Sequence, residues 1–188
     1  MTLDLAILSD GELAALSIGG RTAAFAEILK RHRDVIYRIV AASIGDSEEA
    51  LDLVQETFVS AHGALRRYDP SRPMRAWLTA IALNKCRDWA RRRAVRRLVA
   101  FALPIDDTAE RVVEDRPGHD VEAEDREALA RVQRAIATLP TALREVLVLR
   151  TVEGLSQVEA AAALGVSEKA VETRLRRARL KLATQLDR

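Results

Sequence analysis

Toward the C-terminal end of the sequence, Lys169, Glu172, Thr173, Arg176 and Arg177 share the outer faces of one helical period, while Val171, Leu175, Ala178 and Leu182 share a stripe. The stripe packs, which leaves the polar face for a partner. Its groups suit the edges of base pairs in a major groove, where arginine donates to guanine and glutamate accepts from cytosine. A second set occupies residues 66–97, where eleven Lys or Arg stand against two acids, a local +9, with Trp77 and Trp89 among them. Cations that hold phosphates and rings that stack on exposed bases are what single-stranded nucleic acid requires, while the same two rings would equally serve as core beside a solvated basic flank.

Other chemistries find no residues. Cys86 is the sole cysteine, so neither an internal disulfide nor a cysteine-based metal site is available. His32, His62 and His119 lie at no ligand spacing. There is no phosphate-binding glycine loop and no nucleophile with a positioned base, so no catalytic residue, metal, cofactor or small-molecule substrate is expected.

The first set needs a helix-turn-helix. Ser156 is a natural N-cap and Glu159 completes a capping box; Gly165 can close that helix in the left-handed conformation, and Ser167 caps the next, with Glu168 in its positive first turn. The second set needs a long helix from about Met74, preceded by the loop Asp69-Pro70-Ser71-Arg72-Pro73, which proline keeps out of a helix. Upstream, a capped helix at 9–16, with Ser9 and Glu12, ends at Gly19-Gly20. A helix from Thr22 to about residue 43 turns Phe25, Ile28, Leu29, Ile36, Ile39 and Val40 inward. After Gly45-Asp46, another runs to about residue 68 with Leu51, Val54, Phe58, Ala61 and Leu65 inward and Asp52, Gln55, Glu56 and Ser60 outward. Downstream, helices at about 122–139 (Leu129, Val132, Ile136, Leu139 inward) and 142–152 (Leu143, Val146, Leu147, Val152 inward) lead to the helix-turn-helix.

Seven aromatic residues among many Ala, Leu, Val and Arg, with no alternating runs, predict an all-α protein. Prolines and a run of ten acids against three arginines over 104–127, a local −7, interrupt the periodicity. The expected architecture is two small helical domains, residues 1–98 and 122–188, joined by a flexible acidic linker at 99–121. The net charge of +2 conceals this segregation. No apolar run approaches the roughly 20 residues that span a bilayer, which predicts a soluble, cytoplasmic chain with no direct membrane insertion.

Four stretches resemble one family, the group-four or extracytoplasmic-function sigma factors of bacterial RNA polymerase. DLVQETF at 52–58 is similar to the family's polymerase-clamp-binding helix, and RAWLTAIALNKCRDWARRR at 75–93 to its promoter-opening segment. LPTALREVLVLR at 139–150 and the helix-turn-helix ending in RLRRARLKL resemble its C-terminal domain, in the family's order from about residue 20 onward.

The resemblance implies a region 2 domain that docks Asp52, Leu53, Gln55, Glu56 and Phe58 on the clamp of the beta-prime subunit of core RNA polymerase. It implies that the loop with Asp69, Ser71 and Arg72, followed by Asn84, captures a base flipped from the minus-10 element. The flip costs a few kcal/mol of unstacking, which the pocket must return. Arg75, Lys85, Arg87, Arg91, Arg92 and Arg93 are assigned to phosphates, and Trp77 to a structural place beside them. In a region 4 domain, which meets the flap of the beta subunit, Glu172, Thr173 and Arg176 match base-facing positions of the minus-35 element. Lys169, Arg174 and Arg177 fall nearer the backbone, with Ser167 at the helix start. Many family members carry a basic residue where Glu172 stands, so the usual minus-35 sequence is not implied. The acidic linker would occupy the channel that later carries RNA, and an anti-sigma factor is the implied regulator. The competing reading is a stand-alone helix-turn-helix regulator of duplex DNA, which leaves 52–58 and 75–97 without a purpose.

Overall fold

The computed structural model describes residues 3–102, 127, 131–132 and 134–186. The acidic stretch 103–126, which holds most of the expected linker, lies outside the described residues, as does Leu129. All regular structure among the described residues is helical.

Local chemistry sets the helix ends. Helix α1 (Asp10–Ile18) starts at a capping box in which Ser9 accepts from the Glu12 amide and Glu12 reaches back to the Ser9 amide. Helix α2 (Thr22–Ile44) closes on Gly45, whose φ of 70° is the left-handed conformation that favours glycine. Asp46 then caps α3 (Ser47–Ala64) by accepting from the Glu49 amide. Helix α4 (Met74–Ala102) follows the proline loop and runs past residue 98, where the linker was expected to begin. Helix α1 packs on α2, and α2, α3 and α4 pack on one another. Ile28, Ile36, Ile39, Leu53, Leu78 and Leu83 fill the space between them.

In the C-terminal half, α5 (Thr141–Leu147) continues into a π-helical turn (Val148–Val152). Helix α6 (Gln157–Leu164) carries the Ser156–Glu159 capping box and closes on Gly165, with φ 65°. Helix α7 (Glu168–Leu186) packs against α5 and α6. Val171 and Ala178 are fully buried, and Leu139, Leu147 and Ala178 form a small apolar cluster with Ile136, Leu143, Leu175 and Leu182 against it.

Two inward assignments are corrected. Val152 is 47% exposed because the π turn, with the Glu153 amide bonded to the Val148 carbonyl, takes an extra residue and turns Glu153 inward in its place. Leu51 is 46% exposed, because its end of the α3 stripe borders an open groove with Phe25 and Leu29. The two halves also share a core. One apolar cluster includes Leu13, Ile36 and Leu83 together with Val146, Leu149, Leu155 and Val171, with α6 on α4 and the π turn on α2. Among the described residues no helix is long and apolar enough to cross a membrane.

Candidate nucleic-acid interface

The loop before α4 is preformed. The Asp69 carboxylate accepts from the Ser71 hydroxyl at 2.7 Å and the Ser71 amide at 3.0 Å, and these bonds, the hydroxyl first, hold its carboxyl below the ordinary range. Arg72 lies 3.7 Å from the same carboxylate. The Tyr68 hydroxyl donates to the Arg72 carbonyl at 2.7 Å, while its ring meets Trp77 at 5.3 Å between centroids. Helix α1 backs the loop so closely that a Cβ on Gly11 would lie 3.2 Å from the Pro70 side chain. The result is a shallow site between the start of α1 and the loop, lined by Ser71 and Arg72, with Asp69 exposed in the same loop.

Along α4 the cations divide into exposed and engaged. Asn84 is exposed and accepts from Arg87 at 2.9 Å. Arg91, paired with Asp88, and Arg92 are exposed. Lys85 reaches Glu56 of α3 at 3.4 Å, which joins the expected minus-10 and polymerase-docking surfaces. Arg93 stacks 4.9 Å over the Trp89 ring and lies 3.7 Å from Asp46. The two tryptophans, open in the sequence to base stacking or to the core, are not placed alike. Trp89 is buried and its indole donates to Glu49 at 2.9 Å, so it belongs to the core, while Trp77 is half-buried against Tyr68.

Arg75 and Arg87 do not face open solvent alone. Arg87 donates through Nε and Nη2 to both oxygens of Glu145, at 2.7 and 2.8 Å, and this bonding raises it above the usual guanidinium value. Arg75 donates to the Glu153 carbonyl at 2.6 Å and approaches its carboxylate at 3.5 Å. Arg38 of α2 grips that carboxylate with two bonds of 2.9 Å. Arg38, Glu145 and Glu153 were not singled out in the sequence. A lone acid directly ahead of the apolar run VLVL at 146–149 was the one available signal for Glu145.

On α3, Asp52, Gln55 and Glu56 are exposed, as docking residues must be. Leu53 and Phe58 are 2% and 3% exposed, so their expected role as direct polymerase contacts is corrected: the helix turns positions 53, 54, 57, 58 and 61 toward α2 and α4. Exposed Leu51 and Val59 stand beside Gln55 along the groove.

In α7 the Ser167 hydroxyl accepts from the Ala170 amide at 3.2 Å, fixing the helix start. Lys169 and Glu172 pair at 2.9 Å on the open face, with Arg176 and Arg177 exposed beyond them. Thr173 donates to the Lys169 carbonyl at 2.9 Å and Arg174 is half-buried; Arg174 and Arg177 border a groove with Leu143 of α5. Among the described residues no cluster of His, Cys, Asp and Glu could hold a metal ion. Burial, with Glu145 nearby, pushes the Cys86 thiol up to about 12.

The family description "Sigma-70 region 2" matches residues 28–96, and "Sigma-70, region 4" matches residues 129–182. The chain is 45% identical over 182 residues to the RNA polymerase sigma factor CnrH of Cupriavidus metallidurans, covering 95% of each protein. It is 32% identical over 178 residues to the ECF RNA polymerase sigma factor SigM of Mycobacterium tuberculosis, covering 95% of this chain and 85% of the relative. Among solved structures, CnrH in complex with the cytosolic domain of CnrY superposes with a TM-score of 0.69 at 40% identity, covering 95% of this chain and 97% of that one.

Proposed function

We propose a mechanism for a chain that belongs to the extracytoplasmic-function sigma factors of bacterial RNA polymerase. It binds core polymerase and directs promoter-specific initiation at minus-10 and minus-35 elements. The bond-making chemistry is assigned to the polymerase, and the chain works beside it in the cytoplasm.

In this reading α4 carries the region 2 domain on to residue 102, residues 122–188 are the region 4 domain, and the acidic segment that follows α4 joins them. Asp52, Gln55 and Glu56, flanked by exposed Leu51 and Val59, dock on the polymerase clamp, where charge and apolar contact together give orientation and affinity. The loop fixed by Asp69, Ser71 and Tyr68 supplies a rigid rim for a base leaving the minus-10 stack, and Asn84 offers its amide to that base's edge. Lys85, Arg91, Arg92 and Arg93, joined by Arg75 and Arg87, hold the phosphates. Across the second domain Glu172, Thr173 and Arg176 face minus-35 bases, and Lys169, Arg174 and Arg177 lie nearer its backbone. Ser167 holds the helix start that aims them.

The observation that carries the reading is the pairing of a nearly full-length family match with two separate basic surfaces on α4 and α7. An anti-sigma factor is the regulator expected of such a chain, and the similar protein CnrH has been solved with the cytosolic domain of CnrY. The discriminating experiment is promoter binding with and without core polymerase. A sigma factor shifts promoter DNA strongly only when core is present; tight duplex binding by the chain alone would favour the stand-alone regulator.

A further inference from the structure

Glu172, Thr173 and Arg176 of α7 are the side chains proposed to face minus-35 bases, and each has a different hydrogen-bonding capacity. Glu172 carries acceptors alone and Arg176 donors alone, both on the exposed face. Thr173, half-buried between them, owns a single hydroxyl proton and donates it to the Lys169 carbonyl, one turn back, at 2.9 Å. The oxygen is therefore turned to the helix backbone. A β-branched side chain has few staggered positions inside a helix, so with Oγ1 held there the methyl is the group left for a neighbouring surface to meet.

The helix that carries Thr173 is firmly set at its start. The Ser167 hydroxyl accepts from the Ala170 amide at 3.2 Å, and the Gln157 side-chain amide donates to the Glu168 carbonyl at 3.2 Å, which ties α6 to the first residue of α7. Buried Val171 and Ala178 decide which face packs. Position 173 is thus presented in one orientation, as discrimination by a single methyl group requires.

Among the four bases only thymine shows a methyl group in the major groove, at C5, and apolar side-chain contact is how that methyl is read. A hydroxyl whose proton is committed has no donor left for the acceptors of guanine or for thymine O4. Reading adenine or cytosine would need the oxygen to accept from an amino group, and that oxygen faces the backbone.

We infer that Thr173 selects a thymine of the minus-35 element through its methyl group, not its hydroxyl. The inference rests on α7 being the recognition helix, a premise common to the sigma factor and the stand-alone regulator.

The test assembles the chain with core polymerase and takes duplex promoters that this holoenzyme selects from a library randomised over the minus-35 element. Each thymine of the selected element, on either strand, is replaced in turn by deoxyuridine, which keeps every hydrogen-bonding edge and removes only the methyl. Competition binding should show one position at which the natural chain loses about fourfold, the worth of one buried methyl-sized group. Thr173→Ser, which keeps the hydroxyl alone, should bind the thymine and uracil forms of that position alike. Thr173→Val, which drops the hydroxyl and keeps a methyl, should still lose affinity with uracil. Circular dichroism checks that both variants retain their helices. A natural chain indifferent to uracil at every position, or a loss that survives in Thr173→Ser, would overturn the inference. So would the reverse pattern, in which Thr173→Val alone relaxes the position and the hydroxyl proves to be the reader. If core polymerase recruits the chain to no promoter, the sigma-factor reading falls, and the same three proteins are compared on duplexes the chain selects alone, where the same outcomes decide the thymine contact. A chain that selects no DNA by either route overturns both.

Discussion

The side-chain oxygen of Asn84 accepts from Arg87 at 2.9 Å, one turn away on α4, while the rest of that guanidinium is held by Glu145. Arg87 therefore orients the amide so that its two N–H donors face outward. Asn84→Ala should relax preference at a single position of the minus-10 element, by about 1–3 kcal/mol of discrimination, the usual worth of a good base contact. Transcription from a randomised minus-10 library reads the effect. An even loss at every position would instead mark Asn84 as a structural residue.

Glu172 and Lys169, paired at 2.9 Å on an exposed face, should behave differently from each other. The ion pair itself contributes little, about 0–1 kcal/mol. Glu172→Ala should change which base is preferred at one minus-35 position. Lys169→Ala should weaken all sequences alike and lower the salt slope by about 1. Competition binding of the polymerase holoenzyme to minus-35 variants separates the two.

The split of residues on α3 predicts two classes of variant. Phe58→Ala removes a fully packed ring, in edge contact with Phe25 at 6.4 Å, and should cost about 3–5 kcal/mol of stability. Exposed Asp52→Ala and Glu56→Ala should stay within about 0.5 kcal/mol of the natural chain in urea unfolding yet weaken core-polymerase binding. Normal polymerase affinity in both would remove that face from the docking surface.

How much of this was legible in the sequence depends on the range of the interaction. The Ser9–Glu12 and Ser156–Glu159 boxes and the left-handed Gly45 and Gly165 are written within three or four residues, so the helix ends follow from the letters. The buried stripe of α7, with Val171 and Ala178, follows from period alone. Val152 and Glu153 exchanged places because a π turn adds one residue, and no local pattern announces that. Trp89 read equally well as a stacking platform until Glu49, 40 residues away, was seen to hold its indole. The partners of Arg38, Arg75 and Arg87 lie farther still, and a helical wheel reports only that such arginines are polar.

The second capping box also carries a pH signature. The Ser156 amide, donating at 2.8 Å, and then its hydroxyl hold the Glu159 carboxyl below its ordinary 4.5. A carboxyl lowered in the folded state contributes stability that is fully present above its unfolded value and is lost as pH falls through the folded one. Thermal melts should therefore fall as the medium is acidified below about pH 4.5. Glu159→Gln should lower stability at neutral pH and flatten that acid limb. An identical limb in the variant would mean that other carboxyls carry it.

Cys86 should be inert in the folded chain. Its thiol is buried and pushed up to about 12, so the reactive thiolate is scarce at neutral pH. Iodoacetamide should label it only after denaturation. Rapid labelling under native conditions would show that α4 separates readily from its neighbours.

This chain should turn core polymerase into a promoter-specific enzyme. The most direct measurement is reconstituted transcription with bacterial core polymerase on a library of randomised promoters, with and without the protein, sequencing every transcript that starts. Transcripts should appear only with the protein, from promoters sharing two short elements whose sequences shift with Asn84→Ala and Glu172→Ala respectively. Transcription that never exceeds the core-only background, from a chain that binds duplex DNA tightly by itself, would contradict it.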